Sequence, residues 1–256
     1  MDKDLYFKKR AIEQWTKNPI GSHIATHPEG TIEFFEEIRK DRYENYAPWM
    51  LETFKFEQYK DKKVLEVGVG VGTDHLELAK AGAILTGIDI TPKSIELTKQ
   101  NLELHGYKSN LLVTDAEDLS FEDNSFDVVY SFGVLHHTPD TQKAVMDNLK
   151  HFLTDSGYLI LEVPNLLYWP KRINMLIGRS ILPSIEVIYK SSIPFMGHHH
   201  EYTTGEIVEL ARLAGLKVSH LVHYNYSIDN LRGYLIYLPI LICNNCKEII
   251  LIRLIK

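Results

Sequence analysis

Three glycines at alternate positions stand out in Glu66-Val67-Gly68-Val69-Gly70-Val71-Gly72-Thr73. Glycine lets a backbone turn tightly and approach a ligand with no Cβ between them. The run follows a short apolar segment that reads as a strand. The carboxyl end of a parallel strand is where an open α/β sheet holds its ligand. Twenty-one residues after Gly68, Asp89 closes the next apolar run, where a carboxylate can accept hydrogen bonds from both hydroxyls of a ribose. Asp115-Ala116-Glu117 closes a third run, where a carboxylate or backbone group can meet the exocyclic amine of adenine. The set reads as a nucleoside site.

The spacing G-x-G-x-G differs from the G-x-G-x-x-G of dinucleotide folds, in which helix N–H groups meet a pyrophosphate. Glu66, two residues ahead of the first glycine, is an awkward neighbour for a pyrophosphate but suits a ligand that bears an ammonium group. S-adenosylmethionine has such a group, a positive sulfonium and no phosphate. Methyl transfer from it is an in-line displacement, and a hydroxyl acceptor would gain from a general base. Histidine is the natural base near neutral pH. Of the 12 histidines, His136 and His137 follow the fourth apolar run, and His200 belongs to His198-His199-His200-Glu201. Adjacent histidines on an extended segment point in alternate directions, so no metal site is expected there.

The elements that must position these residues alternate regularly. Strands are expected at Val64–Gly68, Ile84–Asp89, Leu111–Asp115, Phe126–Tyr130 and Tyr158–Val163. A helix between them opens at Thr91-Pro92, a cap followed by proline at the first helical position, and stops at Gly106. Another carries Val145, Leu149, Phe152 and Leu153, and its expected stop is Gly157. This alternation predicts a doubly wound, mostly parallel sheet with helices on both faces. Residues 1–60 read as a helical N-terminal cap, with Ile32, Phe35 and Ile38 on one stripe. Its Trp15, Tyr43, Tyr46 and Trp49 are placed to close over the ligand. Residues 61–256 form the main domain, with an insertion over 165–200 after the fifth strand. Thr203-Thr204-Gly205-Glu206 then makes a capping box before a helix ending at Gly215, and closing strands follow at Leu216–Val218 and Glu248–Ile255.

Composition narrows the classes. The 256 residues are 45% hydrophobic and 24% charged, with a net charge of −6, which fits a globular chain and lacks a basic footprint for nucleic acid. The two cysteines, Cys243 and Cys246, exclude a disulfide scaffold and give half a zinc spacing with no second half. No secretion signal is visible, so the cytoplasm is the expected location. The longest apolar run, Tyr234–Cys243, is shorter than the roughly 20 residues of a membrane span, leaving weak peripheral contact as the alternative. Within residues 165–197, Lys171, Arg172, Arg179 and Lys190 face a single Glu186, which suggests an anionic acceptor.

Val64–Gly72, Gly87-Ile88-Asp89, Asp115-Ala116-Glu117 and Asn124–Ser131 together resemble the class I S-adenosylmethionine-dependent methyltransferases. Val134–Asp140 and His200–Thr203 are similar to the small-molecule, type 11 branch. The resemblance covers about residues 60–220 and implies a Rossmann-like fold. It implies cofactor contacts at Glu66 (amino group), Gly68 and Gly70 (backbone), Asp89 (ribose), Asp115 and Ala116 (adenine) and Ser131 (methionine moiety). Thr73 and Ile90, beside the loop and the ribose carboxylate, complete the expected set. The expected function is methyl transfer to a small-molecule acceptor, with oxygen as the first choice and His136, His137 and His200 as catalytic candidates. Carbon or nitrogen acceptors of lipid or quinone type are the alternative, and so is a non-catalytic nucleoside-binding module. An Asp/Asn-Pro-Pro-Tyr/Phe motif for base amines is missing, since the fourth strand continues Ser131-Phe132-Gly133-Val134.

Overall fold

The computed structural model describes residues 3–138, 144–168, 201–225 and 247–256. His198–His200, the insertion's basic residues, the Tyr234–Cys243 run and both cysteines lie outside the described residues. Seven strands form one sheet in the order β3-β2-β1-β4-β5-β7-β6. They are β1 (Lys63–Val67), β2 (Ile84–Asp89), β3 (Asn110–Val113), β4 (Phe126–Phe132), β5 (Leu153–Pro164), β6 (Lys217–Tyr224) and β7 (Ile249–Ile255). The first five run parallel, while β7 lies antiparallel between β5 and β6. The order turns outward on either side of β1 and β4, and a ligand crevice opens at that switch point.

Both faces of the sheet are covered, as parallel strands require. Residues two apart share a face. Leu65, Val67, Val129, Leu159 and Leu161 pack with Ile207, Leu210 and Ala211, which lie in a helix spanning Thr204–Leu213. Val64, Val128, Tyr130 and Ile160 pack on the other face with Leu76, Leu78, Met50, Phe54 and Phe56. The helices here are α1 (Lys3–Lys17), α2 (Ile32–Lys40), α3 (Met50–Phe54), α4 (Thr73–Lys80) and α5 (Pro92–Leu104). Thr91 caps α5 by accepting from the Ser94 N–H, and Thr203 with Glu206 forms the capping box before Thr204–Leu213.

One buried stripe and several element boundaries differ from the sequence reading: β3 ends at Val113, β5 begins at Leu153 and β6 runs on to Tyr224. In α2 the buried stripe is Phe34, Phe35 and Ile38, while Ile32 is 41% exposed. Two phenylalanine rings against Val71 and Leu97 bury more area than an isoleucine at the first turn, and they set the helix rotation. The helical stretch through Ala144–Leu149 and Lys150–Phe152 stops at Leu153, and Gly157 lies inside β5. A Cβ on Gly157 would stand 3.0 Å from the Thr154 backbone. The glycine thus serves an irregularity at the start of β5, where Leu153 pairs with Phe126 but Tyr158 pairs with Val128.

Candidate functional site

The glycine loop leaves β1 and is pinned to β2, since the Gly68 and Val69 N–H groups both donate to the Ile88 carbonyl at 2.8 and 3.1 Å. Gly68 (φ 81°) and Gly70 (φ 57°) are left-handed, a conformation that side chains resist. Each is also crowded. A Cβ on Gly68 would meet Val134 Cγ2 at 2.2 Å, and one on Gly70 would meet Ile20 Cγ2 at 2.5 Å. Gly72 then caps α4, with Thr73 as the first helical residue.

Asp89 closes β2 and braces this loop. Its Oδ2 accepts from the Gly70 N–H at 3.1 Å, and its Oδ1 accepts from the Thr91 N–H and hydroxyl at 2.9 and 2.8 Å. Burial raises the Asp89 pKa, and the donors from Thr91 and Gly70 oppose that rise. Asp115, just past β3, accepts the Glu117 N–H on Oδ1 at 2.9 Å. Lys8 of α1 reaches both acids, with Nζ at 2.6 Å from Asp115 Oδ2 and 2.6 Å from Glu117 Oε2. Partial burial works to lower the Lys8 pKa, but the two carboxylates outweigh it and raise the value.

These groups enclose a cavity of about 930 Å³, including its open mouth, at the carboxyl end of the sheet. Gly68, Gly70, Asp89, Ile90, Asp115, Ala116 and His137 are all in its wall. Lys8, Ala11 and Trp15 of α1, with Ile20 just beyond it, form the facing side. The Trp15 and His137 rings meet edge-on with centroids 5.4 Å apart. Sequence reasoning did not assign Lys8, Ile20, Phe132, Val134 or Thr138 to the site, and they complete much of the wall. A lone lysine on an amphipathic helix gives no local signal of a carboxylate pair more than a hundred residues away.

Other expected site residues lie off the wall. Glu66 points under α4, where its Oε2 is 2.8 Å from His75 Nδ1, and His75 Nε2 is 2.8 Å from Ser109 Oγ. Burial raises the Glu66 pKa, and His75 partly offsets this. Thr73 starts α4 outside the cavity lining. Ser131 is buried, and its Oγ has no hydrogen-bond partner among the described residues. His136 is buried behind His137, with ring centroids 4.2 Å apart. His200 lies outside the described residues. Of the four N-terminal rings, only Trp15 lines the cavity. Trp49 instead stacks on Tyr224 at 3.9 Å, Tyr43 donates to Asp74 at 2.8 Å, and Tyr46 lies beside Arg42.

Strand order, glycine loop and acid-tipped strands define the Rossmann-like class I methyltransferase fold. The comparisons agree: residues 65–161 match the family model described as Methyltransferase domain. Over 109 residues it is 38% identical to a ubiquinone biosynthesis O-methyltransferase of Haemophilus ducreyi, covering 41% of this chain and 46% of that one. It is 30% identical over 109 residues to a sterol 4-C-methyltransferase of Caenorhabditis elegans, covering 42% of this chain and 32% of that one. The chain thus spans less than half the length of these curated relatives. A solved magnesium protoporphyrin IX methyltransferase from Synechocystis PCC 6803, with bound S-adenosylhomocysteine, shares the fold at a TM-score of 0.58 and 15% identity. That match covers 99% of this chain and 97% of that one. No described helix is long and apolar enough to cross a membrane.

Proposed function

We propose that the protein is an S-adenosylmethionine-dependent methyltransferase acting on a small-molecule acceptor, with oxygen as the methylated atom. The observation that carries this reading is the cavity wall, where Gly68, Gly70, Asp89, Ile90, Asp115 and Ala116 converge under α1. The donor's chemistry fits that wall. The wall holds the acidic side chains Asp89 and Asp115 against a single lysine, Lys8, which favours a cation over a phosphate ester. When bound, the donor supplies a methyl carbon on a positively charged sulfur that departs as a neutral thioether.

In this reading Asp89 holds the ribose hydroxyls, the Asp115-Ala116 turn meets adenine, and the Gly68 and Gly70 backbone lies against the nucleoside. Glu66 acts through His75 and α4 rather than by contact with the ligand, because its oxygen faces His75 and it lies off the wall. His137 is the acceptor-side base. There it would take the acceptor hydroxyl's proton, leaving the oxygen free to receive the methyl group that the bound donor would supply. Trp15 and Phe132 exclude water from that step, in which orientation alone can be worth about 7–11 kcal/mol. Oxygen is favoured by the first relative's O-methyl chemistry together with a histidine in the wall; the sterol relative's C-methyl chemistry supports the carbon alternative.

The test is incubation with methyl-labelled S-adenosylmethionine and fractionated cell extract, followed by identification of the labelled product. A labelled methyl ether or ester supports the reading. Label on carbon or nitrogen overturns the choice of atom, and no labelled small molecule overturns the activity.

A further inference from the structure

From the contacts of α1 we infer that Lys8 is a positioning residue of the cofactor site, a latch that holds α1 closed across the cavity and sets how fast the nucleoside leaves. The inference rests on the cofactor reading above, but its structural half stands independently. Three contacts fasten this stretch to three different parts of the sheet's carboxyl edge. Lys8 bridges Asp115 and Glu117 after β3, Trp15 meets His137 after β4, and Ile20 fills the space over Gly70 after β1.

The three fastenings differ in kind. Ile20 and Trp15 make apolar or edge contacts that a ligand entering the cavity can share. The Lys8 contact is a doubly charge-assisted one, short and partly withdrawn from water, and such bonds are about twice as strong as neutral ones. Glu117 is only 5% exposed, so losing Lys8 removes a cation from beside a largely buried carboxylate. Lys8, Ala11 and Trp15 all lie in the wall, so the bridged Lys8 holds α1 against one side of a nucleoside bound there. Opening the latch therefore belongs to cofactor exchange. Lys8 meets Asp115 Oδ2 while the Glu117 N–H donates to Oδ1, so the two together fix the carboxylate's orientation.

The experiment measures S-adenosylhomocysteine dissociation by a labelled-ligand chase, together with hydrogen exchange of the unliganded protein, in wild type, Lys8→Met, Lys8→Arg and Glu117→Gln. Lys8→Met should release the ligand about tenfold faster or more, equivalent to at least 1.4 kcal/mol. It should also speed exchange across α1 while leaving β1 and β4 amides unchanged. Lys8→Arg should recover most of the wild-type rate, and Glu117→Gln should fall between. Unchanged α1 exchange in both Lys8→Met and Glu117→Gln overturns the latch. Faster α1 exchange with unaltered ligand release overturns its role in cofactor exchange. A wild-type protein that binds no S-adenosylhomocysteine overturns the cofactor reading instead, and the exchange data still decide the latch. If Lys8→Met fails to fold, Glu117→Gln carries the same comparison.

Discussion

Two groups of carboxylates flank the first strands, and they are used in opposite ways. On the α4 face, Asp74 accepts from Arg42 Nε and Nη2 at 3.2 and 2.7 Å, from the Tyr43 hydroxyl at 2.8 Å and from the Tyr130 hydroxyl at 2.7 Å. Glu66 beside it is held by His75. Nothing of Asp74 or Glu66 reaches the cavity wall. At the strand tips, Asp89 and Asp115 are also hydrogen-bonded, but both stand in that wall. A carboxylate saturated by its own protein stabilises the fold, and one that keeps a face toward a cavity can recognise a ligand. Two acids eight residues apart, Glu66 and Asp74, therefore say little about binding until their partners are known.

The sharpest way to break this contrast is to remove Asp74. Asp74→Ala strands the Arg42 guanidinium in the interior and should lower stability by about 3–5 kcal/mol, read by urea unfolding. Ligand affinity of the folded protein should stay within about threefold, because no Asp74 atom enters the wall. A large loss of affinity with little loss of stability would dissolve the distinction between the two groups.

Asp89→Ala should show the reverse emphasis. Losing a charged acceptor costs about 1.5–3 kcal/mol of binding, or roughly 10- to 150-fold in S-adenosylhomocysteine affinity by calorimetry. A change under about threefold would mean that the ribose does not lie there. His137→Gln should reduce kcat by about 10²–10⁴-fold, as expected for loss of a general base, while leaving that affinity nearly intact. Equal loss in both parameters would assign His137 to binding.

The pH response separates the groups further. Burial alone would raise the Asp74 pKa, but Arg42 and the two tyrosine hydroxyls bring it below its ordinary 3.8. Its stabilising effect is therefore complete above that value and is lost as the pH falls through the lowered pKa. Burial raises Asp89 above 3.8 and Glu66 above 4.5, so each binds a proton more readily in the folded chain. Each costs stability as the pH rises from its ordinary value through the raised one. Urea titrations from about pH 6 down to about pH 2 should show Asp74→Asn losing the acid-side fall in stability. Glu66→Gln should remove part of the opposite trend. The smallest effect expected is on ligand affinity in Glu66→Gln, less than about threefold; a loss above tenfold would return Glu66 to the ligand's amino group.

The parallel part of the sheet was legible because its strands contain short apolar runs, some closed by glycine or acid, as in Val64–Gly68 and Ile84–Asp89. The glycine loop was legible because three glycines at alternate positions directly after an apolar run mark a turn that side chains resist. Side-chain direction was not. Glu66 lies on the face of β1 that meets α4, and only the position of His75 after folding shows that its Oε2 faces that ring. The N-terminal rings were equally ambiguous, since Trp15, Tyr43 and Trp49 are all large and amphipathic, and long-range packing alone sends one to the cavity and two elsewhere. The Gly157 boundary was misplaced because a glycine that ends a helix and one that relieves a strand irregularity look identical in sequence.

The most direct test of the central claim is a crystal structure of the protein with S-adenosylhomocysteine. The account predicts the ribose hydroxyls on the Asp89 carboxylate, adenine against Asp115-Ala116, and Trp15 of α1 lying over the ligand. A ligand seated elsewhere, or contacting Glu66 while leaving Asp89 free, would contradict it.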